Sequence, residues 1–315
     1  MSAFLFVTPS WDGHSWAKAL RHVAPHMDVR VWPDCGREED VHYVAAWLPP
    51  ANALKRFPNL KAIFSLGAGV DAILSDPTLP SGIPIVRVND ADLTGRMSEY
   101  IVLHVLMHHR QMRRLADNQS KRVWENFDQR PASAMTVGIM GLGVLGTDAA
   151  RKLLMMGFKV VGWSRSAKAL HGVRCFDGAS QLDAFLNETD ILISLLPATP
   201  ETDGIINREL ISKLSCRGPL GAPVIINAGR GRQHVEADIL HSLDTGRLHA
   251  ASLDVFASEP LSTASPLWAH PKVVITPHNA ADSDPAVICS YVAGQIARFE
   301  RGEELVNLVD LKRGY

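Results

Sequence analysis

The sequence has few cysteines, little net charge and no long hydrophobic run, and each shortage excludes a class of protein. Its four cysteines form no C-x-x-C pair and have no metal-ligand spacing, which favours a reduced intracellular protein and predicts no metal site. The 32 basic and 33 acidic residues leave a formal charge of −1, so the composition predicts no nucleic-acid partner. A small anionic substrate is compatible with this balance, because it needs only one or two local cations.

The apolar stretches are too short for a membrane protein. Tyr100–Met107 falls well below the ~20 residues of a spanning helix, and Met1–Gly13 lacks the basic region of a signal peptide. We therefore expect no membrane contact and a cytoplasmic location. With 46% hydrophobic and 21% charged residues, the 315-residue chain has the composition of a globular protein, and its length favours two domains.

A glycine-rich segment in the middle of the chain is the most informative motif. Thr136–Gly146 reads TVGIMGLGVLG, an apolar run followed by Gly141, Gly143 and Gly146 at the spacing G-x-G-x-x-G. Such glycines allow a tight strand-to-helix turn, close approach of the backbone to a pyrophosphate, and close helix–strand packing. The pyrophosphate then lies at the positive end of the next helix, here predicted in Thr147–Met156. The motif predicts a dinucleotide-binding site, although a structural glycine turn can have the same pattern.

Strand-like and helix-like segments alternate along the chain, which predicts an α/β fold with parallel sheets. Up to Asn89 the predicted elements are a helix at Trp16–His22 and strands at Phe4–Thr8, Val29–Trp32, Tyr43–Trp47, Ala62–Ser65 and Ile85–Val88. A long helix is predicted at Ser98–Leu115. The polar segment Ala116–Ala134, which contains Trp124 and Phe127, is either a linker or an arm that packs on a second subunit.

The glycine motif begins a second α/β unit. Its predicted strands are the run before Gly141 and then Lys159–Trp163, Ile191–Leu195, Pro223–Ala228, Ala250–Asp254 and Val273–Thr276, which fit a six-stranded doubly wound sheet. Helices are predicted at Gln181–Asn187, Arg208–Leu214 and Glu236–Thr245. A last helix, Pro285–Arg301, is expected to return to the first unit. We thus predict two doubly wound, Rossmann-like domains: a discontinuous substrate domain of residues 1–98 and 278–315 around a dinucleotide-binding domain of residues 99–277.

The end of the second strand of this unit indicates which nicotinamide cofactor binds. An acidic residue at that place normally holds the ribose hydroxyls of NAD. Here Ser164, Arg165 and Ser166 occupy it, with Lys168 close behind. A guanidinium and hydroxyl groups suit the 2′-phosphate of NADP, so the sequence favours NADPH over NADH. A solvated basic turn is the alternative interpretation.

Three polar residues follow apolar runs further along this unit: Arg230 in INAGRG, Glu259 in LDVFASEP and His278 in ITPHNA. Doubly wound folds gather their ligands at the carboxyl ends of their strands, which makes these residues candidates for a functional site. Each alone has an ordinary alternative, respectively a surface cation, a turn cap and a hydrogen-bonded histidine.

Taken together, the motifs resemble the D-isomer-specific 2-hydroxyacid dehydrogenase family over nearly the whole chain. The matching segments are GIMGLGVLG, SLLPATPETDGIIN, INAGRG with VEADIL after it, LDVFASEPL, TPHNA and, near the N-terminus, FSLGAGVD at Phe64–Asp71. Within the family, the segments WSRS, SPLW and the terminal RGY are most similar to the glyoxylate/hydroxypyruvate reductase A group.

The resemblance implies that Arg230, Glu259 and His278 are the catalytic triad of a 2-oxoacid reductase. His278 would supply the proton, Glu259 would orient its ring, and Arg230 would bind the carboxylate and carbonyl oxygens of the substrate. The resemblance also implies a homodimer that reduces glyoxylate to glycolate and hydroxypyruvate to D-glycerate with NADPH.

The remaining site residues are implied in two groups. The substrate carboxylate would bind backbone N–H groups of a small-residue loop; the substrate-binding residues are Trp47, Leu66, Gly67, Ala68 and Gly69. The cofactor-binding residues are Gly141, Gly143, Val144, Leu145, Gly146, Ser164, Arg165, Ser166, Leu196, Pro197, Ala228 and Asp254.

Four positions depart from the usual family pattern without removing a catalytic group: Gly229, Gln233, His234 and Asn279. The sequence gives no role for the first three, whereas Asn279 is expected to alter how His278 is held.

Two functional alternatives stay open, namely a longer or branched 2-oxoacid as substrate, or a dinucleotide-sensing interaction protein on the same scaffold. A methyltransferase with a glycine-rich loop would leave the triad without a purpose. The side chains of Trp47, Met97 and Trp268 are expected to set the size of the substrate pocket.

Overall fold

The structure, a computed structural model, describes residues 2–88 and 90–311. Contacts between Cα atoms divide the chain into two units, Met1–Leu93 with Asp282–Tyr315, and Thr94–Ala281. These divisions lie a few residues from the predicted boundaries at 98/99 and 277/278, and they assign His278 to the second unit instead of the predicted substrate domain. Asn89 and the terminal RGY motif fall outside the described residues.

The described residues contain strands and helices in regular alternation. The strands are β1 (Ala3–Val7), β2 (Asp28–Val31), β3 (Val41–Ala46), β4 (Ala62–Ser65), β5 (Ile85–Arg87), β6 (Thr136–Met140), β7 (Lys159–Ser164), β8 (Arg174–Asp177), β9 (Ile191–Ser194), β10 (Val224–Asn227), β11 (Ala250–Leu253) and β12 (Val273–Ile275). The helices are α1 (Gly13–Val23), α2 (Asp71–Leu74), α3 (Ala91–His109), α4 (Met112–Ser120), α5 (Val144–Met155), α6 (Leu182–Glu188), α7 (Arg208–Lys213), α8 (Glu236–Asp244) and α9 (Pro285–Glu300).

The first unit is built on a parallel five-stranded sheet in the order β2-β1-β3-β4-β5. All five strands predicted for it are present, and the central ones are buried runs, as expected of a parallel sheet with helices on both faces. The final helix, α9, packs on α1 as predicted, so this unit is discontinuous in sequence. Asp284 begins α9 by accepting hydrogen bonds from the N–H groups of Ala286 and Val287, and Ile288 and Val292 then join the core of the unit.

The second unit contains a parallel sheet of seven strands in the order β12-β11-β10-β9-β6-β7-β8. The chain therefore runs outward in both directions from β6, which is the doubly wound arrangement predicted. The prediction of six strands was wrong, because β8 was missed. Its sequence, RCFD, buries only Phe176 and so produces no apolar run.

The long helix predicted at Ser98–Leu115 is two helices instead of one. The chain breaks after α3, at Gln111, whose φ of 51° lies in the left-handed region. No glycine or proline marks this break, which explains why the helical pattern concealed it. After α4 the segment up to Arg130 has no helix or strand, and Trp124 in it is fully exposed.

Candidate active site

The glycine motif forms the turn from β6 into α5. Gly141 has a φ of +105°, and a Cβ at Gly146 would lie only 2.0 Å from the carbonyl oxygen of Gly141, so both positions need glycine. A Cβ at Gly143, in contrast, would meet no heavy atom within 4 Å, and no side chain caps the start of α5 among the described residues. Val144 and Leu145 are the first residues of the helix. This open, uncapped turn fits the pyrophosphate of a dinucleotide, which can approach the backbone and accept from the first N–H groups.

The turn after β7 carries the predicted selectivity residues next to the end of β6. The hydroxyl of buried Ser164 donates to the carbonyl oxygen of Ser166 at 2.8 Å and so closes the turn. Arg165 and Ser166 are exposed. The hydrogen bond from Thr199 and, among the weaker influences, the charge of Arg165 lower the pKa of Glu201. The turn thus presents a guanidinium at the edge of the sheet where the glycine motif lies.

The other predicted cofactor residues follow strands at the same edge: Leu196 and Pro197 after β9, Ala228 after β10 and Asp254 after β11. The carboxylate of Asp254 is buried and accepts from the Thr276 hydroxyl at 2.6 Å and from the N–H groups of Asn279 and Ala280 at 3.0 and 3.1 Å. Asp254 therefore fixes the loop that carries His278.

His278 and Glu259 form a close pair on the loops after β12 and β11. The Nδ1 atom of His278 donates to Oε2 of Glu259 at 2.6 Å, and Oε1 of Glu259 accepts from the Phe256 N–H at 2.8 Å. His278 has a φ of 55°, a left-handed conformation that costs about 1–2 kcal/mol for a residue with a side chain. Its N–H donates to the carbonyl oxygens of Asp254 and Thr276, which helps to hold this conformation. The backbone thus aims the imidazole at the carboxylate.

The electrostatics of the pair favour an ionised carboxylate. Burial tends to raise the pKa of Glu259, but the hydrogen bonds from His278 and Phe256 and the charges of His278 and Arg230 together bring it below the usual value. Both side chains of the pair are about one-third exposed, at 33% for His278 and 34% for Glu259. Glu259 is therefore a stable negative partner beside an imidazole that solvent and small molecules can reach.

The loop after β10 holds Arg230 by its backbone. The side chain of Asn227 donates to the Arg230 carbonyl oxygen at 3.1 Å and accepts from the Gly229 N–H at 3.0 Å, while Oε1 of Gln233 accepts from the Arg230 N–H at 3.2 Å. The guanidinium also donates to the Gly229 carbonyl oxygen at 2.9 Å. Asn227 was not predicted as a site residue, although a polar residue at the end of the apolar run of β10 was a usable signal.

In the first unit, the loop after β4 has its carbonyl groups turned towards serine side chains. The hydroxyl of buried Ser65 lies 3.0 and 2.8 Å from the carbonyl oxygens of Gly67 and Gly69, and Ser283 donates to that of Leu66 at 2.8 Å. Sequence reasoning did not identify either serine. The hydroxyls fix the orientation of the peptide groups in this loop.

The N–H groups of this loop are correspondingly available. Within residues 2–88 and 90–311, no protein acceptor is found for the N–H groups of Gly67, Ala68 and Gly69. The Trp47 indole packs on Gly67, where an added Cβ would lie 2.2 Å from its Cζ3 atom, and it stacks on the Trp11 ring with the centroids 4.8 Å apart. Such a run of N–H groups beside a flat indole suits a small carboxylate.

Buried polar side chains of α3, unforeseen from the sequence, form two separate sets of contacts, and the set at Tyr100 reaches the loop of His278. The Tyr100 hydroxyl is 2.9 Å from that of Thr276, and the Ser252 hydroxyl is 2.8 Å from both Nδ1 of His104 and Nε2 of His108.

Met97 and Trp268 were also expected to set the size of the substrate pocket. Met97 is buried in the core of the second unit, whereas Trp268 is 54% exposed and donates to the Ser262 carbonyl oxygen.

Two further properties bear on the chemistry. Among the described residues, no group of three or more His, Cys, Asp or Glu side chains is arranged to hold a metal ion. Within the same part of the chain, no helix combines the length and apolar character needed to cross a bilayer.

Comparisons with known proteins give a consistent result. The family model described as "D-isomer specific 2-hydroxyacid dehydrogenase, NAD binding domain" matches residues 102–280. The chain is 40% identical to glyoxylate/hydroxypyruvate reductase A of Yersinia enterocolitica, with 99% of each chain covered. Among solved structures it is similar to NADPH-dependent glyoxylate/hydroxypyruvate reductase of Sinorhizobium meliloti in complex with NADP and sulfate, at 47% identity, full coverage of both chains and a TM-score of 0.95. A probable 2-hydroxyacid dehydrogenase of Rhizobium etli, in complex with NADP, HEPES and L(+)-tartaric acid, is 45% identical over both full chains with a TM-score of 0.93.

Proposed function

The chain belongs to the D-isomer specific 2-hydroxyacid dehydrogenase family, and we propose that it is an NADPH-dependent reductase of glyoxylate and hydroxypyruvate. The observation that carries this proposal is the pair of His278 and Glu259, joined at 2.6 Å in the unit that also holds the glycine turn and Arg230. The resemblance to this family that the sequence indicated is confirmed by the family model and by the relatives.

The cofactor is NADPH in this proposal, and NADH is the poorer substitute. The open turn at Gly143 receives the pyrophosphate, and the exposed Arg165 and Ser166 bind the 2′-phosphate. Support comes from the relatives of Sinorhizobium and Rhizobium, whose structures contain NADP. When bound, the cofactor supplies the hydride that forms the new C–H bond at the keto carbon of the substrate.

The protein's own residues supply the proton and the charge stabilisation. Nε2 of His278 delivers a proton to the carbonyl oxygen as the keto group becomes a hydroxyl, while Nδ1 is held by Glu259. Glu259 fixes the orientation of the ring by accepting the hydrogen bond from Nδ1. The Arg230 guanidinium binds the substrate's carboxylate and carbonyl oxygens and stabilises the negative charge that develops on the latter.

The loop after β4 binds the substrate carboxylate through the N–H groups of Gly67, Ala68 and Gly69 in this proposal. Trp47, packed on Gly67, limits the side chain of the 2-oxoacid. A large residue at this place suits the short substrates, glyoxylate and hydroxypyruvate, better than branched ones. The products are glycolate and D-glycerate.

We also propose a homodimer and a cytoplasmic location. The fully exposed Trp124, in a segment without helix or strand, supplies an apolar anchor for a second subunit. All four cysteines are thiols, which is compatible with a reducing compartment.

The proposed function is tested by steady-state kinetics with a panel of 2-oxoacids. Purified protein is assayed with NADPH against glyoxylate, hydroxypyruvate, pyruvate and a branched 2-oxoacid. The first two should give the highest kcat/KM. A clear preference for the branched acid would assign a different substrate, whereas NADPH binding without turnover of any acid would favour a dinucleotide-sensing interaction protein.

A further inference from the structure

Gln233 is one of the departures from the family pattern for which the sequence gave no role. Its side chain is 1% exposed, so its amide has exchanged water for protein partners. Oε1 accepts from the Ser194 hydroxyl at 2.8 Å and from the Arg230 N–H at 3.2 Å. Nε2 donates to the carbonyl oxygens of Leu196 at 2.7 Å and Pro197 at 3.2 Å. The amide thus uses two donor and two acceptor positions, its full capacity.

These four partners belong to two different loops and one strand. Ser194 ends β9, and Leu196 and Pro197 form the loop after it, where we propose cofactor contacts. Arg230 lies on the loop after β10. Because Nε2 faces two carbonyl groups, which only accept, the amide has one satisfactory orientation. Gln233 therefore ties the cofactor loop to the loop of the substrate-binding arginine.

Gly229, a second departure from the family pattern, fits this arrangement. A Cβ at position 229 would lie 2.6 Å from Oε1 of Gln233 and 3.1 Å from the Leu196 carbonyl oxygen. The first distance is too short for any real contact, so the glutamine occupies the space that a larger residue at 229 would need. The two departures are linked by packing and are expected to depend on each other.

We propose that Gln233 is a positioning residue that holds the Arg230 loop and the Leu196–Pro197 loop in one fixed arrangement, with Gly229 as its steric partner. The proposal rests on the proposed function, since it assigns those loops to substrate and cofactor. A glutamine that only satisfied buried groups would affect folding alone. A positioning glutamine also affects the affinity of each loop for its ligand.

The first experiment replaces the amide by a thioether of similar length, in Gln233→Met. This change keeps much of the volume and removes all four hydrogen bonds. We expect KM for glyoxylate to rise about five- to thirtyfold, because the Arg230 loop loses its anchor, and the NADPH dissociation constant, measured by fluorescence titration without substrate, to rise about fivefold. An effect confined to the thermal midpoint, with unchanged KM and unchanged NADPH affinity, would mean a purely structural role and would overturn the proposal.

A double-mutant cycle gives a second test that does not depend on Gln233→Met folding well. Gly229→Ala in the wild type should weaken NADPH binding at least fivefold and lower the thermal midpoint. The same change in a Gln233→Ala background should add less than twofold, because the methyl group enters the vacated space. Gly294→Ala in α9 is the matched control, since a Cβ there meets nothing within 4 Å. It should leave NADPH binding unchanged and should not lower the thermal midpoint, because alanine favours a helix interior more than glycine does.

The outcomes separate this proposal from the proposed function. Equal effects of Gly229→Ala in the two backgrounds would disprove the coupling. If the wild type reduced no 2-oxoacid, the proposed function would fail, yet the NADPH titrations and midpoints of the cycle would still decide whether Gln233 positions the Leu196–Pro197 loop.

Discussion

Nδ1 of His278 lies 2.6 Å from Oε2 of Glu259, and this contact joins the loops that follow two neighbouring strands, β12 and β11. The backbone of His278 is in the left-handed region. The buried carboxylate of Asp254 fixes the loop by accepting from the N–H groups of the two residues after His278. The backbone conformation of the two loops therefore determines the positions of both side chains in the pair. Five predictions test this pair and the features around it.

Replacing His278 by alanine should abolish most of the turnover. Loss of a positioned proton donor lowers kcat by about 10²–10⁴-fold. The NADPH dissociation constant should stay within about twofold, because the proton is delivered on the substrate side. Stopped-flow reduction of glyoxylate and a separate NADPH titration give both quantities. A variant with near-normal kcat would remove His278 from the mechanism and favour a binding role for the protein.

Replacing Glu259 by glutamine should lower kcat for glyoxylate about ten- to a hundredfold and leave the NADPH dissociation constant within about twofold. In the wild type, burial tends to raise the pKa of Glu259, but the hydrogen bonds from His278 and Phe256 hold it below its usual value, so the carboxylate is ionised at neutral pH. The amide of glutamine still offers an acceptor to Nδ1 of His278 but has no negative charge, so it holds the proton donor less firmly. Steady-state kinetics with glyoxylate and an NADPH titration measure the two quantities. An unchanged kcat would show that the charge of Glu259 makes no contribution to turnover.

Replacing Arg165 by alanine should narrow the preference for NADPH. One charged, bidentate contact with a 2′-phosphate contributes ~1.5–3 kcal/mol, so the ratio of kcat/KM values for NADPH and NADH should fall roughly ten- to a hundredfold. The value with NADH should change little, since NADH has no phosphate there. The two cofactors are compared at saturating glyoxylate. An equal loss with both would indicate a general role of Arg165 in the turn.

The buried histidines of α3 should make the protein sensitive to mild acid. Burial lowers the pKa of His104 to about 4 and that of His108 to about 3. Below the ordinary value near 6.5, the unfolded chain binds protons that the folded chain does not, so stability falls as pH decreases towards those lowered values. Between pH 6.5 and 5 each histidine should cost about 1–2 kcal/mol of unfolding free energy.

The test of this acid sensitivity is thermal unfolding across that pH range in His108→Gln, which cannot take up the proton. Its midpoint should fall less steeply with decreasing pH than that of the wild type. The matched control, His26→Gln, removes an exposed ring and should keep the wild-type slope. The same slope in all three proteins would contradict the assignment of the acid effect to α3.

The oligomeric state should depend on Trp124. Sedimentation at micromolar concentration should give the mass of a dimer for the wild type and a monomer for Trp124→Glu, because the change places a charge on a fully exposed apolar anchor. Val23→Glu, at a partly exposed position on α1, is the control and should remain dimeric. A monomeric wild type would exclude the proposed homodimer.

Much of the fold, and the position of the candidate site on it, could be predicted from the sequence alone. The glycines of the motif, the apolar strands and the alternation of elements predicted two doubly wound units, because backbone conformation and burial impose those patterns locally. The positions of Arg230, Glu259 and His278 after apolar runs placed them at one edge of the sheet, since parallel strands end together. The five strands of the first unit and the return of α9 were confirmed.

Only the tertiary structure decided which groups meet. Strand β8 and the break at Gln111 left no local signal, since one buried residue and one left-handed residue make no pattern. Three of the four partners of Gln233, namely Ser194, Leu196 and Pro197, lie tens of positions away along the chain. Hydrogen bonds between buried side chains and distant loops depend on how the strands pack side by side. A sequence shows the types of these residues, and the fold decides their distances.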